Sequence, residues 1–395
     1  MSPHKSARIS ARAVEEQAVS FAPPVIGAEE IAEVVETLES GWLTTGPRVA
    51  AFERAFATYV GAPHAIAVNS CTAALHLSLL GAGIGAGDDV ITTPLTFCAT
   101  ANVIVHSGAT PVFADVDPGS FNLDPLAAAA AVTPRTRAIL PVHFAGRPAD
   151  MTSFRGLARR RGLTLIEDAA HCVEGITQGR KVGSIGDFTC FSFYATKNLT
   201  TGEGGMVTTA DDKAAAFIRT ASLHGMSRDA WSRYAPGGAA QYDVLMPGFK
   251  YNMMDLQAAI GLHQLAAMEL RLARRNEIWA EYDDALAGLP LMRPSAVRDG
   301  DVHARHLYTV LVDERSAGIG RDALQARLAE RGIATSVHFR ALHLQPYYQE
   351  RFALRRGMFP AAEAISDSTL SLPLSGAMTP DAVERVIEAL HDVLC

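Results

Sequence analysis

The segment FSFYATKNLTTGEGGMV, residues 191–207, carries the pattern that decides the fold. An apolar, strand-like run ends at Phe193, a lysine follows at Lys197, and a glycine-rich turn at residues 202–205 leads into a second apolar run. Most lysines are solvated surface charges, but glycines let a backbone turn tightly and approach a ligand. A lysine held in such a pocket can have a lowered pKa and act as a nucleophile towards aldehydes. Lys197 is therefore a candidate nucleophile.

Short apolar runs that alternate with helical patterns surround this segment and predict an α/β fold. Several runs are continuously apolar, as expected for strands buried on both faces of a parallel sheet. We predict a seven-stranded, mostly parallel sheet with helices on both faces, its strands lying at Ala65–Val68, Asp89–Thr93, Pro111–Asp115, Ala138–Val142, Leu163–Asp168, Phe188–Phe193 and Gly205–Thr208.

After about residue 245 the pattern changes and predicts a smaller C-terminal α+β domain. Its predicted elements are a long helix, a strand, a helix, a second strand and a final helix, at Asp255 to about Leu286, His306–Val312, Arg321–Arg331, Ile333–Phe339 and from about Pro380. We expect a polar tail at residues 1–20, a large domain at 21–250 and the smaller domain at 251–395.

The composition argues against several classes of protein. A net charge of -7 and a pI near 6.0 disfavour nucleic-acid binding. Five cysteines, without a C-x-x-C pair, indicate reduced thiols. No stretch reaches the roughly 18 apolar residues of a membrane helix, and residues 1–16 lack the apolar core of a signal peptide. We expect a soluble, cytoplasmic protein without nucleic-acid or membrane partners.

The glycines within GAGIGAG, residues 81–87, resemble a dinucleotide-binding loop. They follow a helical pattern and precede a strand, whereas that loop requires a strand before a helix. We therefore predict a turn from helix to strand.

Polar residues directly after the strands form the candidate site, because ligands of open α/β sheets bind at the carboxyl ends of strands. Ser70 and Thr72 open a helix whose N–H groups could bind a phosphate, although an N-cap role also explains either residue. Phe97 could stack on a planar ring or belong to the core. Asp168 could hold a protonated ring nitrogen, act as an N-cap or form a buried ion pair. With Lys197, these are the parts of a pyridoxal 5′-phosphate (PLP) site.

Five motifs resemble the DegT–StrS group of nucleotide-sugar aminotransferases. They are NSCTAAL (69–75), PLTFCAT (94–100), IEDAAHCVEG (166–175), FSFYATKNLTTGEGGMV (191–207) and GFKYNMMDLQAAIGL (248–262). The resemblance implies a PLP enzyme of fold type I that acts as a homodimer with active sites at the subunit interface. It assigns the Schiff base to Lys197 and the partner of the ring nitrogen to Asp168.

The same resemblance implies the other cofactor contacts. They are ring stacking by Phe97, a place beside the ring for His171, and a phosphate site formed by Cys71, Thr72, Ser192 and, from the neighbouring subunit, Asn252.

A closer resemblance, to aminotransferases that form UDP-4-amino-4-deoxy-L-arabinose, rests on four further segments. They are SGWLTTGPRV (40–49), TPRTRAILPVHFAGRPAD (133–150), MPGFKYN (246–252) and VHFRALHLQPYYQERF (337–352). Phe97 and Gly202 depart from that subgroup, in which we expect tryptophan and alanine. The implied acceptor is a nucleotide-linked 4-keto pentose or 4-keto deoxyhexose, with L-glutamate as the amino donor.

The resemblance also assigns the segment from His338 to His343 to the sugar pocket, with Arg340 available for a carrier phosphate. A surface ion pair is the alternative for Arg340. The spacing of His338 and His343 does not match the H-E-x-x-H zinc helix, so no metal is expected. Residues 42–47 either border the site or form a plain loop between helices.

Two other functions stay open from the sequence. PLP enzymes of this fold also dehydrate or deaminate sugars, and some carry histidine in place of the lysine, which Lys197 argues against. A non-catalytic regulator would need an effector module such as a helix-turn-helix, for which the segment before Phe21 is too short.

Overall fold

The computed structural model describes residues 18–227 and 242–395, so residues 1–17 of the expected tail lie outside the described residues. Val19, which we expected in that tail, is paired with the C-terminal part of the chain. Its N–H donates to the Gly332 carbonyl at 2.8 Å, and its carbonyl accepts from the Ala334 N–H at 3.0 Å. The Val19 side chain is buried in the C-terminal core and does not belong to a free tail.

The predicted seven-stranded, mostly parallel sheet is confirmed. Its order is β1-β9-β8-β5-β4-β2-β3; β9 is antiparallel to both neighbours and the other four pairs are parallel. A hairpin of β6 and β7 lies outside this sheet. The strands are β1 His64–Val68, β2 Asp89–Thr92, β3 Thr110–Phe113, β4 Thr136–Leu140, β5 Thr164–Asp168, β6 Ile176–Thr177, β7 Arg180–Lys181, β8 Phe188–Ser192 and β9 Gly205–Thr209.

Seven α-helices lie before, between or after these strands in the described residues of this part. They are α1 Ala28–Glu39, α2 Pro47–Val60, α3 Cys71–Gly81, α4 Cys98–His106, α5 Pro125–Ala130, α6 Met151–Arg161 and α7 Asp212–Ser222. The glycines between α3 and β2 form the predicted turn from helix to strand.

Apolar clusters lie on both faces of the sheet, because successive side chains of a strand point in opposite directions. Ile66 and Val68 of β1 pack with α3 and α7 on one face. Ala65 and Ala67 of the same strand pack with α2 on the other face. Both sets are apolar, which explains why the buried strands read as continuous apolar runs.

The C-terminal part contains a three-stranded antiparallel sheet of order β10-β11-β12. Its elements, with those that lead into it, are α8 Asp255–Ala266, α9 Met268–Ala285, β10 Leu291–Met292, β11 Tyr308–Val312, α10 Glu314–Ala317, α11 Arg321–Glu330, α12 Pro346–Phe352, α13 Pro360–Ser368, β12 Thr369–Leu372 and α14 Pro380–Leu394. The helix predicted at Arg321 and the final helix at Pro380 are confirmed. The domain boundary at residues 250/251 stays a prediction. Helix α8, which begins just after this boundary, packs on α1 and α2 of the large domain.

Two predicted elements of this part are wrong. The strand at Ile333–Phe339 does not form, and only isolated bridges join Ile333 to Val19 and Ser336 to Ser371. The position beside β11 is taken by β12, which the pattern did not reveal because four residues directly after a helix carry little periodicity. The long helix is interrupted at Ala267, where neither glycine nor proline marks the break.

Close backbone approach at Gly205 brings the Lys197 loop next to the start of α3. A Cβ at residue 205 would lie 2.5 Å from the carbonyl carbon of Ser70 and 2.7 Å from the nitrogen of Cys71. Because both neighbours are backbone atoms, neither can move aside, and glycine is required there. Within residues 18–227 and 242–395, no helix is both long and apolar enough to cross a membrane.

Candidate active site

One cavity of about 620 Å³ lies at the carboxyl ends of β1, β5 and β8. Its size is typical of small-molecule sites, which span roughly 300–1,000 Å³. Eight of the ten predicted site residues line it: Cys71, Thr72, Phe97, Asp168, His171, Ser192, Lys197 and His338.

The start of α3 forms one wall of the cavity. Ser70 is the N-cap, and its Oγ accepts from the Ala73 N–H at 3.1 Å. The N–H groups of Cys71 and Thr72, in the first turn, have no intrahelical acceptor and are suited to an anion. Burial raises the pKa of the Cys71 thiol well above its usual range, so this side chain is neutral.

Asp168, the last residue of β5, is buried in the cavity wall. Its Oδ2 accepts from Thr100 Oγ at 2.8 Å, and its Oδ1 accepts from the Ala170 N–H at 3.1 Å. Burial raises the pKa of Asp168, and these two hydrogen bonds oppose that rise. Asp168 caps no helix, and it forms no salt bridge among the described residues. The carboxylate is therefore available to a cationic group of a ligand.

Lys197 lies in the turn after β8, opposite Asp168 in the same cavity. Its N–H donates to the Tyr194 carbonyl at 2.9 Å, and the Thr201 N–H donates to the Phe193 carbonyl at 2.9 Å, which closes the turn. Burial lowers the pKa of Lys197 to about 8, while the nearby carboxylate of Asp168 opposes this. A substantial fraction of Lys197 is thus a neutral amine near physiological pH.

His171 and His338 are neutral in the cavity. The Nδ1 of His171 accepts from the Ala145 N–H at 3.2 Å, so its Nε2 carries the proton. Burial lowers the pKa of His171 well below its usual range and that of His338 to about 3. Phe97 is 60% exposed, which excludes the alternative of a core residue and leaves its ring free to stack.

Asn252 and Arg340 do not line the cavity of their own chain. The Nδ2 of Asn252 donates to Thr45 Oγ at 2.7 Å, and its buried Oδ1 has no hydrogen-bond partner among the described residues. Arg340 is exposed, and its guanidinium donates to the Leu344 carbonyl at 3.1 Å. Residues 42–46 lie in the loop between α1 and α2, Pro47 begins α2, and none of them lines this chain's cavity.

Several residues of the site were not singled out from the sequence. Among them, Thr100 holds Asp168, and Tyr194 and Glu203 line the cavity. Thr100 lies in the motif at 94–100 close in sequence to Phe97, and Tyr194 lies in the motif at 191–207 close in sequence to Lys197. This closeness in sequence could have indicated both residues. Phe339, in the segment from His338 to His343 that the resemblance assigned to the sugar pocket, also lines the cavity.

In the described part of the chain, no group of three or more histidine, cysteine, aspartate or glutamate side chains is placed to hold a metal ion.

The residues fit PLP. The first turn of α3 and Ser192 offer donors for a phosphate. The absence of a side chain at Gly205 leaves room for the backbone of Ser70 and Cys71 at the start of this helix. Asp168 presents a carboxylate for a protonated ring nitrogen, and Lys197 presents an amine of lowered pKa for the aldehyde.

The model of the DegT/DnrJ/EryC1/StrS aminotransferase family matches residues 24–391. This chain belongs to that family. It is a PLP-dependent aminotransferase, and the fold type expected from the sequence is confirmed.

Similar proteins support this membership. The spore coat polysaccharide biosynthesis protein SpsC of Bacillus subtilis (strain 168) is 53% identical over 375 residues, 95% of this chain and 96% of SpsC. Spr1654 of Streptococcus pneumoniae, solved in a PMP form and a PLP form, is 34% identical in the former with a TM-score of 0.89, over 95% of this chain and 98% of Spr1654. DesI, solved in the presence of its TDP-sugar product, is 35% identical with a TM-score of 0.84, over 95% of this chain and 92% of DesI.

Thr100→Val should weaken PLP binding about tenfold, because it removes a hydrogen bond that favours the ionised form of Asp168. The measurement is the PLP dissociation constant of the purified protein by equilibrium dialysis. Thr92→Val is the matched control, since Thr92 Oγ donates at 2.8 Å to the backbone carbonyl of Leu140. It should lower stability and leave PLP binding unchanged; equal PLP affinity in wild type and Thr100→Val would contradict the role of Thr100.

Proposed function

We propose that this aminotransferase moves the amino group of L-glutamate to the keto group of a nucleotide-linked sugar, a 4-keto pentose or 4-keto deoxyhexose. The observation that carries the proposal is a lysine of lowered pKa facing a buried carboxylate in a cavity of about 620 Å³. Because Lys197 is present at this position, the proposal favours amino transfer over dehydration or deamination.

The proposed cofactor contacts follow the cavity walls. Cys71 and Thr72 would hold the phosphate with the N–H groups of the first turn of α3, and Ser192 would add a hydroxyl. Phe97 would cover one face of the ring, and Asp168 would keep its nitrogen protonated. When bound, PLP supplies a conjugated ring that accepts the electron pair left when the donor α-carbon loses its proton.

Lys197 performs the proton transfers in this proposal. Its neutral Nζ would accept the proton from the α-carbon of glutamate and, once protonated, would return it to the former aldehyde carbon of the cofactor, which then holds the amino group. The same atom acts in the reverse sense on the keto sugar. His171 lies beside it with an Nε2–H directed by the Ala145 contact, so it can donate to an oxygen of the ligand.

The acceptor assignment draws on the similar proteins and on the segment of His338. DesI was solved with a TDP-sugar, and SpsC is named for polysaccharide biosynthesis. His338 lines the cavity, and its Nδ1 lies 2.9 Å from Ser371 Oγ, which orients the ring. Arg340, exposed two residues further on, would bind a carrier phosphate at the mouth.

An assay of amino transfer to a panel of nucleotide-linked keto sugars tests this proposal. We expect 2-oxoglutarate to form from L-glutamate with a 4-keto pentose or a 4-keto deoxyhexose, in step with loss of the keto sugar. Lys197→Ala should lose turnover, and a nucleotide sugar without a keto group should support none. Turnover by Lys197→Ala would overturn the catalytic role of Lys197, and no turnover of any keto sugar by PLP-loaded wild type would overturn the acceptor assignment.

We propose further that two copies of the chain share their active sites. Helix α1 exposes Ile31, Val35 and Leu38, which are 57%, 45% and 53% exposed and share one helix face. Leu43, in the loop after α1, and Met254, directly before α8, are both 42% exposed. Continuous exposed apolar surface is typical of protein interfaces.

Asn252 lies close to the exposed apolar side chains, so a dimer interface formed by them would also include a residue of the site. Thr45 Oγ donates to the Met253 carbonyl at 2.6 Å and accepts from Asn252 Nδ2, so the loop after α1 and Asn252 form one unit. The pairing would bring Asn252 to the phosphate bound by the other copy. This placement agrees with its position outside the cavity of its own chain.

Ile31→Asp combined with Leu38→Asp should convert a dimer to a monomer and weaken PLP binding, because buried charges are costly at an apolar interface. Light scattering coupled to size exclusion gives the mass. Leu270→Asp is the matched control, since Leu270 is 77% exposed on α9, and it should leave the mass unchanged. A monomeric wild type, or an unchanged mass in the double variant, would refute the shared site.

A further inference from the structure

Asn198, the residue after Lys197, is held by a buried polar network that makes no use of the cofactor contacts. Its Nδ2 donates to the two carboxylate oxygens of Glu174 at 3.0 and 3.2 Å and to the Ala304 carbonyl at 2.8 Å. Glu174 is buried and paired with the buried Arg275. Since all three partners of Nδ2 are acceptors, the amide orientation is determined, and Oδ1 can only accept.

The acceptor Oδ1 of Asn198 faces a buried histidine, His306. Its Nδ1 lies 3.1 Å from Oδ1, so Nδ1 must carry the proton and donate. Burial lowers the pKa of His306 well below its usual range, and the positive charge that Lys197 carries when protonated acts in the same direction. His306 is therefore a neutral ring of one defined tautomer.

His306 also supports His171. The two ring centroids are 4.5 Å apart with a tilt of 44°. Ala145 links them through the backbone: its N–H donates to His171 Nδ1 at 3.2 Å, and its carbonyl accepts from the His306 N–H at 3.1 Å. The fit is tight, because a Cβ at Gly146 would lie 2.9 Å from the His171 carbonyl oxygen and 3.1 Å from the His306 nitrogen.

We propose that His306 is a positioning residue that couples the Lys197 loop to His171. It donates to Asn198, which fixes the turn carrying Lys197, and its ring supports the ring of His171 on the cavity wall. Lys197, which acts on the donor carbon in the proposed function, and His171, which can donate to an oxygen of the ligand, are thereby both held by one side chain outside the cavity. The proposal rests on that function, though not on the identity of the sugar.

The test uses two variants of His306 in the full-length, PLP-loaded protein. His306→Phe keeps an aromatic ring but removes the donor to Asn198. His306→Asn restores an amide N–H close to the position of the lost Nδ1–H. The readout is the single-turnover rate with L-glutamate alone, followed by the change in cofactor absorbance at saturating and subsaturating glutamate. Because no sugar takes part, the result is independent of the acceptor assignment.

We expect His306→Phe to lower the limiting rate about 10- to 100-fold with little change in the glutamate concentration for half-saturation, because small displacements of reacting groups cost rate. His306→Asn should recover most of this loss. Cofactor absorbance reports how much PLP each variant retains, so that a loading defect is separated from a slower reaction.

His303→Phe is the matched control. His303 is another buried, neutral histidine three residues away, whose Nδ1 accepts from the Arg305 N–H at 2.9 Å and whose ring contacts Trp279. It should lower thermal stability about as much as His306→Phe and leave the rate unchanged. An unchanged rate in His306→Phe, no recovery in His306→Asn, or an equal loss of rate in His303→Phe would each overturn the proposal.

Discussion

The arrangement of the site depends on burying an amine and a carboxylate in one cavity at the carboxyl edge of the sheet. Burial alone disfavours both charges, which lowers the pKa of Lys197 and raises that of Asp168. The chain offsets the cost at Asp168 with donors from Thr100 and Ala170. With a pKa of about 8, Lys197 exists as both ammonium and neutral amine near physiological pH, which a nucleophile that also carries protons requires.

Much of the remaining structure maintains this pair. Parallel strands β5 and β8 are hydrogen-bonded neighbours, so the residues that follow them meet at one edge. Gly205 allows β9 to lie against the start of α3, which places the helix N-terminus beside the lysine turn. Behind the cavity, the side chain of Asn198 is hydrogen-bonded to both His306 and Glu174, so that few of the buried donors and acceptors there are left unpaired.

The sheet and the lysine site could be predicted from the sequence because they depend on local signals. Continuous apolar runs predicted the seven strands, and the carboxyl-end rule brought Lys197 and Asp168 together. Contacts distant in sequence could not be predicted in this way. No local pattern shows that Thr100 reaches Asp168, that Val19 pairs with Gly332, or that β12 takes the place beside β11. The break at Ala267 has no residue that marks it.

The most direct measurement of the central claim is the site and pH dependence of PLP attachment to the apoprotein. Attached PLP is fixed by borohydride at several pH values and located by peptide mass spectrometry. We predict attachment at Lys197, with a rate that rises with pH and reaches half its maximum near pH 8, since only the neutral amine attacks an aldehyde. Attachment to another lysine, or a rate at Lys197 that is already maximal well below its pKa or does not rise until near pH 10.5, would contradict the account.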